Sequence, residues 1–550
     1  MSNRNIVIPI KSNCYGYEAY CGLIRPYLDV FGMPYDEVEL SALPERLREG
    51  AALILIAQPD LILTEDAAKA IMNTVRNGAG LVCTVNSALA CDAFSDIVSV
   101  SDMPSPVSGN SVTTVSEHYI TRYHTVGESI NLYGSESFYV NTRLKNGTTL
   151  LRIGKTPLLE IAEYNGAKIA LWNTVSWIKP EILGPVHGMD DIFRDAIIWA
   201  AKKPFAMKGM PPFVGMRVDD VWGAWRDKSP ENPLLWIEIS NKYGLKPWLG
   251  VFQDNTNGRT TELIREYVNR GIATAFPHAF AGCEWVASDI PEHWAYFDHR
   301  CSRPWSDEVM AENAARIKSW YDENGIEISK VALPHYYETG ENALSHFIEW
   351  GCEFIGIHMP PNASYSSGAK LRCGPYRNYT QLPCTLARPT YFADYLKFPN
   401  NPEIDGKLFN CVTEIRDVRG YEFAPTNDVE DTIDSGVTQL RRAILSSVPA
   451  VLFTHESCWI QRITVENWER EISAITSAIS DLEPIYETMD NICRYVRASH
   501  DVRISKADSD ADGKLTLSFE GKNDMDTKYI VFTESDNEIS QEWKILPVQE

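Results

Sequence analysis

The feature that most constrains the fold is a regular alternation of apolar, strand-length runs with helix-length patterns near the start of the chain. These strand-like and helix-like segments follow one another at 5–10, 15–30, 51–57, 65–77 and 81–85. Thr64 can cap the second helix, because acidic residues fill the turn that follows it. Strands that alternate with helices are typical of a parallel sheet covered on both faces. The sequence therefore predicts an α/β fold that begins with a doubly wound parallel sheet.

The pattern changes over residues 105–185, where short β-rich runs are separated by Gly and Asn turns. A helical pattern follows at 189–201, and the stretch PFAMKGMPP at 204–212 is typical of a linker. We therefore predict a first domain over 1–205, in which the parallel sheet carries an antiparallel elaboration.

Strand and helix patterns alternate again from residue 213 to residue 480. Six or seven such βα units fit a closed or nearly closed barrel, interrupted by an irregular Pro- and Tyr-rich insertion at 360–410. The last 50 residues contain short alternating strands. We predict a barrel domain over 206–495 and a small antiparallel β unit over 496–550.

The 550-residue chain has a formal net charge of −23, because 74 Asp and Glu residues outnumber 51 Lys and Arg residues. Such a surface repels phosphate backbones, so no nucleic-acid partner is expected. No apolar run is long enough to cross a membrane, and no membrane partner is expected. The first residues lack a signal-peptide pattern, which predicts a cytoplasmic protein, or an extracellular one if a signal was trimmed. The oligomeric state is left open.

Carboxylates and imidazoles follow several of the predicted strands. Asp219 and Asp220 close the first strand after the linker, and His278, His335 and His455 follow three others. One such residue at one strand end is more often structural. Because the carboxyl ends of parallel strands converge on one mouth, the repetition predicts a functional site there.

The residue types favour a metal. Two adjacent carboxylates raise each other's pKa, and a divalent cation on one of them removes that cost while leaving the other as a base. Neutral imidazoles and carboxylates are ordinary ligands for zinc and similar ions, and His299 is a further candidate. The plainer interpretation is a helix-capping Asp, a surface Asp and spectator histidines.

The order and spacing of these residues resemble the polysaccharide deacetylases, the NodB-like carbohydrate esterases, which have a distorted (β/α)7 barrel. The string RVDDV at 217–221 resembles the first motif of the family, and LFTHE at 452–456 resembles the last. His299 stands seven residues before Ser306-Asp307-Glu308, where the second motif leads into a helix. The third motif corresponds to 333–337. The resemblance covers roughly half of the chain.

The resemblance implies a metal-dependent deacetylase that removes acetyl groups from an N-acetylated or O-acetylated carbohydrate. It implies Asp219 as the general base, His455 as the general acid and the backbone N–H of Tyr336 as the oxyanion donor. Its metal ligands would be Asp220, His278 and His299. The ion would be zinc, with cobalt, nickel or manganese as alternatives.

The sequence departs from the family pattern in three places. His278 lies about twenty residues from His299 instead of four, and the third motif lacks its Arg, a role for which Arg217 is the substitute. The fourth motif corresponds to Glu414 or His358. The first domain is similar to amidotransferase-like domains, but Cys83 is not in a nucleophile elbow, so no amidotransferase activity is expected.

Aromatic residues are abundant around the predicted mouth, and aromatic faces stack on the apolar faces of sugar rings. Some of them are expected to be core residues. The predicted substrate-binding residues are Arg217, Trp222, Trp285, His335, His358 and Trp459; Trp225, Trp294 and Trp305 lie nearby in the sequence.

Two other functions stay open. One is a glycoside hydrolase on a similar barrel, in which Asp219 or Asp220 acts with Glu414 or Glu456. The other is a non-catalytic carbohydrate-binding relative of the deacetylases. Metal content distinguishes a deacetylase from a glycoside hydrolase. Acetate release distinguishes a deacetylase from a non-catalytic relative.

Overall fold

The structure is a computed structural model of the chain. It describes residues 2–178, 188–282, 294–298, 303–356, 393–396, 398, 401–411, 413–415 and 422–549.

The strands are numbered in chain order. They are β1 Ser2–Asn3, β2 Ile6–Ile10, β3 Tyr35–Glu39, β4 Leu53–Ile56, β5 Gly80–Cys83, β6 Val98–Thr114, β7 Ser129–Leu144, β8 Thr148–Ile153, β9 Thr156–Tyr164, β10 Ala167–Trp172, β11 Phe205–Gly209, β12 Phe213–Val221, β13 Pro247–Phe252, β14 Thr274–Ala279, β15 Val331–Ala332, β16 Phe354–Ile355, β17 Asp394–Tyr395, β18 Phe409–Asn410, β19 Ala450–His455, β20 Ile485–Tyr486, β21 Val502–Ser509, β22 Leu515–Gly521, β23 Thr527–Ser535 and β24 Glu538–Leu546.

The α-helices are numbered in the same way among the described residues. They are α1 Tyr15–Leu23, α2 Arg25–Phe31, α3 Leu43–Arg46, α4 Glu65–Arg76, α5 Asp190–Ala200, α6 Leu235–Lys242, α7 Gly258–Asn269, α8 Asp307–Asn324, α9 Glu341–Glu349, α10 Val429–Leu445, α11 Val465–Ala478 and α12 Met489–Asp501.

The N-terminal part forms a nine-stranded mixed sheet in the order β3-β2-β4-β5-β10-β9-β8-β6-β7. The pairs from β3 to β10 are parallel and the pairs from β10 to β7 are antiparallel. Ile6 and Ile8 of β2 pack into one hydrophobic core and Val7 packs into another. Because successive side chains of a strand point to opposite faces, this confirms a parallel sheet that is buried on both sides.

The central part contains two further parallel arrangements. One is the sheet β14-β13-β12-β19, in which all pairs are parallel, and the other is β15-β16-β18 with β17 antiparallel at its edge. A single bridge between Ala275 and Ile328 links them. The predicted closed barrel is not found in the described part of the chain, because β18 and β19 do not pair there. The confirmed architecture is therefore mixed α/β with several parallel sheets.

The C-terminal strands do not form a separate unit. β21 pairs with β1 at the start of the chain, and β23 pairs with β11, which occupies most of the stretch predicted to be a linker. Antiparallel pairing between segments this distant in sequence leaves no local signal. The C-terminal hairpins therefore join the N-terminal and central parts instead of standing alone. No helix within the described ranges is long and apolar enough to cross a membrane.

Candidate functional site

The carboxyl ends of the central parallel strands bring the predicted residues together. Asp219 on β12 is the direct partner of His455 on the neighbouring β19. His278 lies near the end of β14, on the other side of β13. Gly250 of β13 leaves room for this imidazole, since a Cβ there would lie 3.0 Å from the His278 Cγ. The geometry therefore matches the expectation that these strand ends share one mouth.

Asp219 and Asp220 both face the same imidazole, although consecutive residues of a regular strand point to opposite sides. The register between β12 and β13 shifts between Val218 and Val221, and Asp220 has a left-handed φ of 61°. This bulge turns the second carboxylate toward the first. The His278 Nε2 lies 3.5 Å from an Asp219 oxygen and 3.6 Å from the Asp220 Oδ1.

Asp220, His278 and His335 form the one cluster with metal-ligand geometry found among the described residues, and their ligand atoms lie within 4.8 Å of one another. The Asp220 Oδ1 is 3.6 Å from the His278 Nε2 and 3.7 Å from the His335 Nε2. Two ligands held at zinc distances by one tetrahedral ion lie about 3.4 Å apart. The spacing fits a divalent ion with little rearrangement.

Two further observations support that fit. The Asp220 Oδ1 is buried and has no hydrogen-bond partner among the described residues, which is costly unless a cation occupies the space. The His278 Nδ1 lies 2.6 Å from the Leu333 carbonyl oxygen, which fixes the proton on Nδ1 and leaves the Nε2 lone pair toward the carboxylates. Burial raises the pKa of Asp220 and lowers the pKa of His278. Both shifts express the cost of holding a charge on these groups away from water.

The ligand set differs from the predicted one. His335, predicted to bind substrate, contributes the third ligand atom of the cluster. It follows β15 in the segment Pro334–Tyr337, where Tyr336 and Tyr337 have left-handed φ angles of 55° and 58°. Within this turn, whose conformation strand periodicity does not encode, the His335 Nε2 lies 3.7 Å from the Asp220 Oδ1. The predicted ligand His299 lies outside the described residues.

Arg217 holds Asp219 in place. Its Nε and Nη2 donate to the two oxygens of Asp219 at 2.8 and 2.6 Å, and its Nη1 donates to Glu414 at 3.0 Å. Burial alone would raise the pKa of Asp219, but the charge and the hydrogen bonds of Arg217 contribute most to outweighing it and lower that pKa. Arg217 is 1% exposed, so it lies beneath the site and is not a substrate contact, contrary to the prediction.

His455 is paired with a residue that the sequence analysis missed. Its Nδ1 lies 2.7 Å from the Glu422 Oε2. Burial lowers the pKa of His455, but Glu422 and the two aspartates outweigh it and raise that pKa to about 9. Ser457, also missed, donates from its hydroxyl to the Asp220 Oδ2 at 3.2 Å. Neither residue lies in a motif, so only the folded loops bring them here.

Glu414 and Glu456, the carboxylates of the alternative function, are both fully buried. Glu414 accepts hydrogen bonds from Arg217 and from the Tyr337 hydroxyl. Glu456 accepts from the Trp222 and Gly223 backbone N–H groups at 2.7 and 2.9 Å and from the Trp236 indole at 2.8 Å. Burial raises the pKa of Glu456 to about 7. Both residues therefore hold the loops of the site together.

Aromatic rings surround the cluster. The Trp294 ring stacks on His335 with centroids 5.2 Å apart, and Tyr336, 39% exposed, lies 4.3 Å from the same imidazole. Trp222 and Trp459 are half-buried under Arg226 and Arg462, whose guanidinium groups lie over the rings. Trp225 is fully buried and donates to the Ile460 carbonyl, so it is a core residue. The predicted substrate contacts Trp285 and His358 lie outside the described residues.

Comparison with known proteins gives low similarity. No protein-family model and no curated protein matches the chain. A solved structure from Mycobacterium smegmatis, named as a polysaccharide deacetylase, matches at 13% identity and a TM-score of 0.28, over 53% of this chain and 91% of that one. Gan42B, a GH42 beta-galactosidase from G. stearothermophilus, matches through its E323A mutant at 13% identity and a TM-score of 0.24, over 37% of this chain and 31% of that one. At these TM-scores the likenesses establish neither the fold nor the function of this chain.

Proposed function

We propose that the chain is a metal-dependent hydrolase that removes acetyl groups from an acetylated carbohydrate. The observation that carries the proposal is the buried Asp220 Oδ1, which has no hydrogen-bond partner among the described residues and lies 3.6 and 3.7 Å from two imidazole nitrogens. A buried carboxylate oxygen between two imidazoles is a typical ligand set for a divalent cation.

Asp220, His278 and His335 would hold the ion. One carboxylate and two imidazoles suit zinc, and also cobalt, nickel or manganese. When bound, such an ion supplies Lewis-acid polarisation of the acyl oxygen and an acidified water.

The protein's own groups divide the proton transfers between them. Asp219, kept ionised by Arg217, accepts the proton of the attacking water, because its lowered pKa leaves it as a carboxylate. His455, with its pKa raised to about 9, carries a proton at neutral pH and gives it to the departing amine or alcohol. The backbone N–H of Tyr336, in the turn beside His335, is the proposed donor to the oxyanion.

The aromatic residues favour a carbohydrate substrate. Tyr336, beside His335, keeps 39% of its surface exposed, and Trp222, two residues after Asp220, is half-buried. Flat aromatic faces pack against the C–H faces of sugar rings. The glycoside hydrolase alternative is weakened, since Glu414 and Glu456 are buried and hydrogen-bonded within the protein.

The test measures metal and acetate in the same sample. The full chain, purified without a metal-affinity column, is assayed for bound metal and for acetate released from acetylated oligosaccharides, before and after chelation. We expect about one divalent ion per chain and acetate release that chelation stops and metal restores. Asp322→Asn, on the exposed face of α8, is the matched control. Bound metal without acetate release from any acetylated sugar would instead indicate the non-catalytic relative, and absence of metal would refute the proposal.

A further inference from the structure

A cavity of about 740 Å³ lies where the N-terminal sheet, the central part and the C-terminal strands meet. Its wall is formed by α2, β11, the turn at 447–449 before β19, and the end of α12 with the start of β21. We call it the junction cavity. It contains none of the metal-cluster residues. Its volume and its position between units of the fold are typical of small-molecule sites.

Lys208 of β11 lies in the wall of this cavity and is only 8% exposed. Its stem lies against Gly32, where a Cβ would come within 2.2 Å of the Lys208 Cε. Its ammonium donates to the Ser499 carbonyl. Within the described part of the chain, no carboxylate oxygen lies within 4.0 Å of this ammonium. Because an ammonium has three N–H donors, two of them have no acceptor among the residues that the structure describes.

Most other charged side chains of the wall lie beside a group of opposite charge. The ion pairs are Arg25 with Glu37, Arg46 with Asp36, and Arg503 with Glu520, and the His500 ring lies beside Asp394 and Asp501. Asp29 is exposed at the rim and accepts a hydrogen bond from the Tyr35 hydroxyl. Among the described residues, Lys208 is a buried charge of the wall with no carboxylate oxygen within 4.0 Å, although the charges of Asp29 and Asp501 act on it from further away. Burial lowers the pKa of Lys208 to about 8, which still leaves it mainly charged at neutral pH.

We propose that the junction cavity binds a small amphipathic carboxylate, with its anionic group on Lys208 and its apolar body against Leu28, Met33 and Val448. These three side chains are buried and line the same cavity. A carboxylate matches the single charge of the Lys208 ammonium, which has no carboxylate oxygen within 4.0 Å among the described residues. A phosphate monoester would bring close to a second negative charge into a chain that already carries −23. This site goes beyond the proposed hydrolase activity, because it shares no residue with the metal cluster.

The test uses isothermal titration calorimetry on the full chain with octanoate as the probe. Octylammonium and octyl phosphate carry the same apolar chain with a different charge. We expect saturable octanoate binding, at least about tenfold tighter than that of either analogue, since a hydrogen bond to a charged group typically changes affinity by that factor or more. Tighter binding of octyl phosphate would overturn the carboxylate assignment, and equal binding of octylammonium would overturn the role of the buried cation.

Substitution locates the site. Lys208→Met keeps the apolar stem and removes the charge, so octanoate affinity should fall at least about tenfold. Lys208→Arg, which retains the charge, should bind octanoate more tightly than Lys208→Met. Lys202→Met, at a half-buried lysine that donates to the Asn77 carbonyl outside the cavity, should bind like the wild type. Circular dichroism verifies the fold of each variant. Unchanged affinity in folded Lys208→Met would refute the proposal, and if that variant does not fold, the charge series on the wild-type chain decides.

Discussion

The two large parallel sheets differ in whether the buried polar side chains at their carboxyl edges are hydrogen-bonded. At the edge of the N-terminal sheet, the buried Gln58 amide accepts from the Lys11 backbone N–H at 2.8 Å and donates to the Lys11 carbonyl at 3.3 Å. Ser12 and Glu39 form a further hydrogen bond there. At the edge of the central sheet, the Asp220 Oδ1 is also buried but has no hydrogen-bond partner within the described ranges.

The difference indicates that the strand topology forms the carboxyl edge of a sheet, and that the side chains at this edge determine whether it can bind a ligand. Both edges are formed by parallel strands with helices between them, the arrangement that gathers polar groups at strand ends. Buried polar groups that are hydrogen-bonded to one another have little capacity to bind a ligand. A buried carboxylate oxygen that lies between imidazoles without a hydrogen bond favours binding of a cation. The comparison therefore favours the central sheet as the place of the proposed chemistry. The following substitutions test this difference between the two sheets.

The largest effect is expected from His278→Ala. This change removes a proposed ligand and leaves Asp220 buried with one fewer partner, so we expect loss of bound metal together with all metal-dependent turnover. Metal analysis and an acetate-release assay on the same sample measure both. Gln58→Ala at the other edge is the matched control, and it should retain metal and turnover. A His278→Ala variant with full metal occupancy would show that the cluster is not the metal site.

Asp219→Asn should separate catalysis from metal binding. Asparagine preserves the shape but cannot accept the proton of the attacking water, so turnover should fall by about 10²–10⁴-fold while the metal stays bound. The assay compares kcat and metal content with those of Asp322→Asn. Loss of the metal in place of turnover would show that Asp219 and Asp220 have exchanged roles.

His455→Ala should have a similar or smaller effect on turnover, again with the metal retained. Its proton is needed by the leaving group, so an acetamide substrate should suffer more than an activated acetyl ester, whose leaving group needs less help. Turnover on both substrates and bound metal are measured together. Unchanged turnover on the amide would indicate that His455 only contacts a loop. Loss of the metal would indicate that His455 is a metal ligand.

Glu422→Gln should shift the pH profile with little change in the maximal rate. Burial lowers the pKa of His455, and Glu422 is the main group that raises it to about 9. Without that carboxylate the His455 proton is lost at lower pH, so the alkaline limb of kcat/KM should move toward neutrality. Glu430→Gln, on the exposed start of α10, serves as the control. An unmoved alkaline limb would mean that His455 is not the group that titrates there.

The sequence was sufficient for the parts of the site that depend on strand order. Apolar periodicity placed Asp219 and His278 at strand ends, and parallel pairing then made them neighbours. The place of His335 in the cluster was missed because it lies in the turn after β15, whose conformation strand periodicity does not encode. Glu422 was missed because it belongs to no motif and meets His455 only through loop conformation.

The fold was also predicted only in part. The alternation of strands and helices correctly predicted parallel sheets, but the pairing of β1 with β21 and of β11 with β23 joins segments that are far apart in sequence. Such pairing is decided by tertiary packing, so the predicted linker at 204–212 contains a strand instead. Closure of the barrel also depends on non-local pairing, and β15 and β16 are only two residues long.

The smallest effect on turnover is expected from His124→Gln, which tests whether the N-terminal part contributes a catalytic group. The His124 ring lies between two carboxylates, with its Nε2 2.9 Å from Asp191 and its Nδ1 3.3 Å from Glu128. Burial lowers the pKa of His124, but the two carboxylates outweigh it and raise that pKa to about 10. The imidazolium therefore stabilises the fold through these two carboxylates. We expect unchanged turnover and a free energy of unfolding that is lower by about 1–3 kcal/mol at pH 6.

The pH dependence of that stability difference follows from the raised pKa. In the unfolded chain the imidazole titrates at about 6.5, so below that pH both states carry the proton and the full stabilisation is present. Between about pH 6.5 and about pH 10 only the folded state holds the proton, and the stabilisation declines as the pH rises. Urea unfolding of wild type and His124→Gln at pH 6 and pH 9 should therefore give a smaller difference at pH 9. A loss of turnover in the folded variant would place catalytic chemistry at the N-terminal sheet and remove the contrast between the two edges.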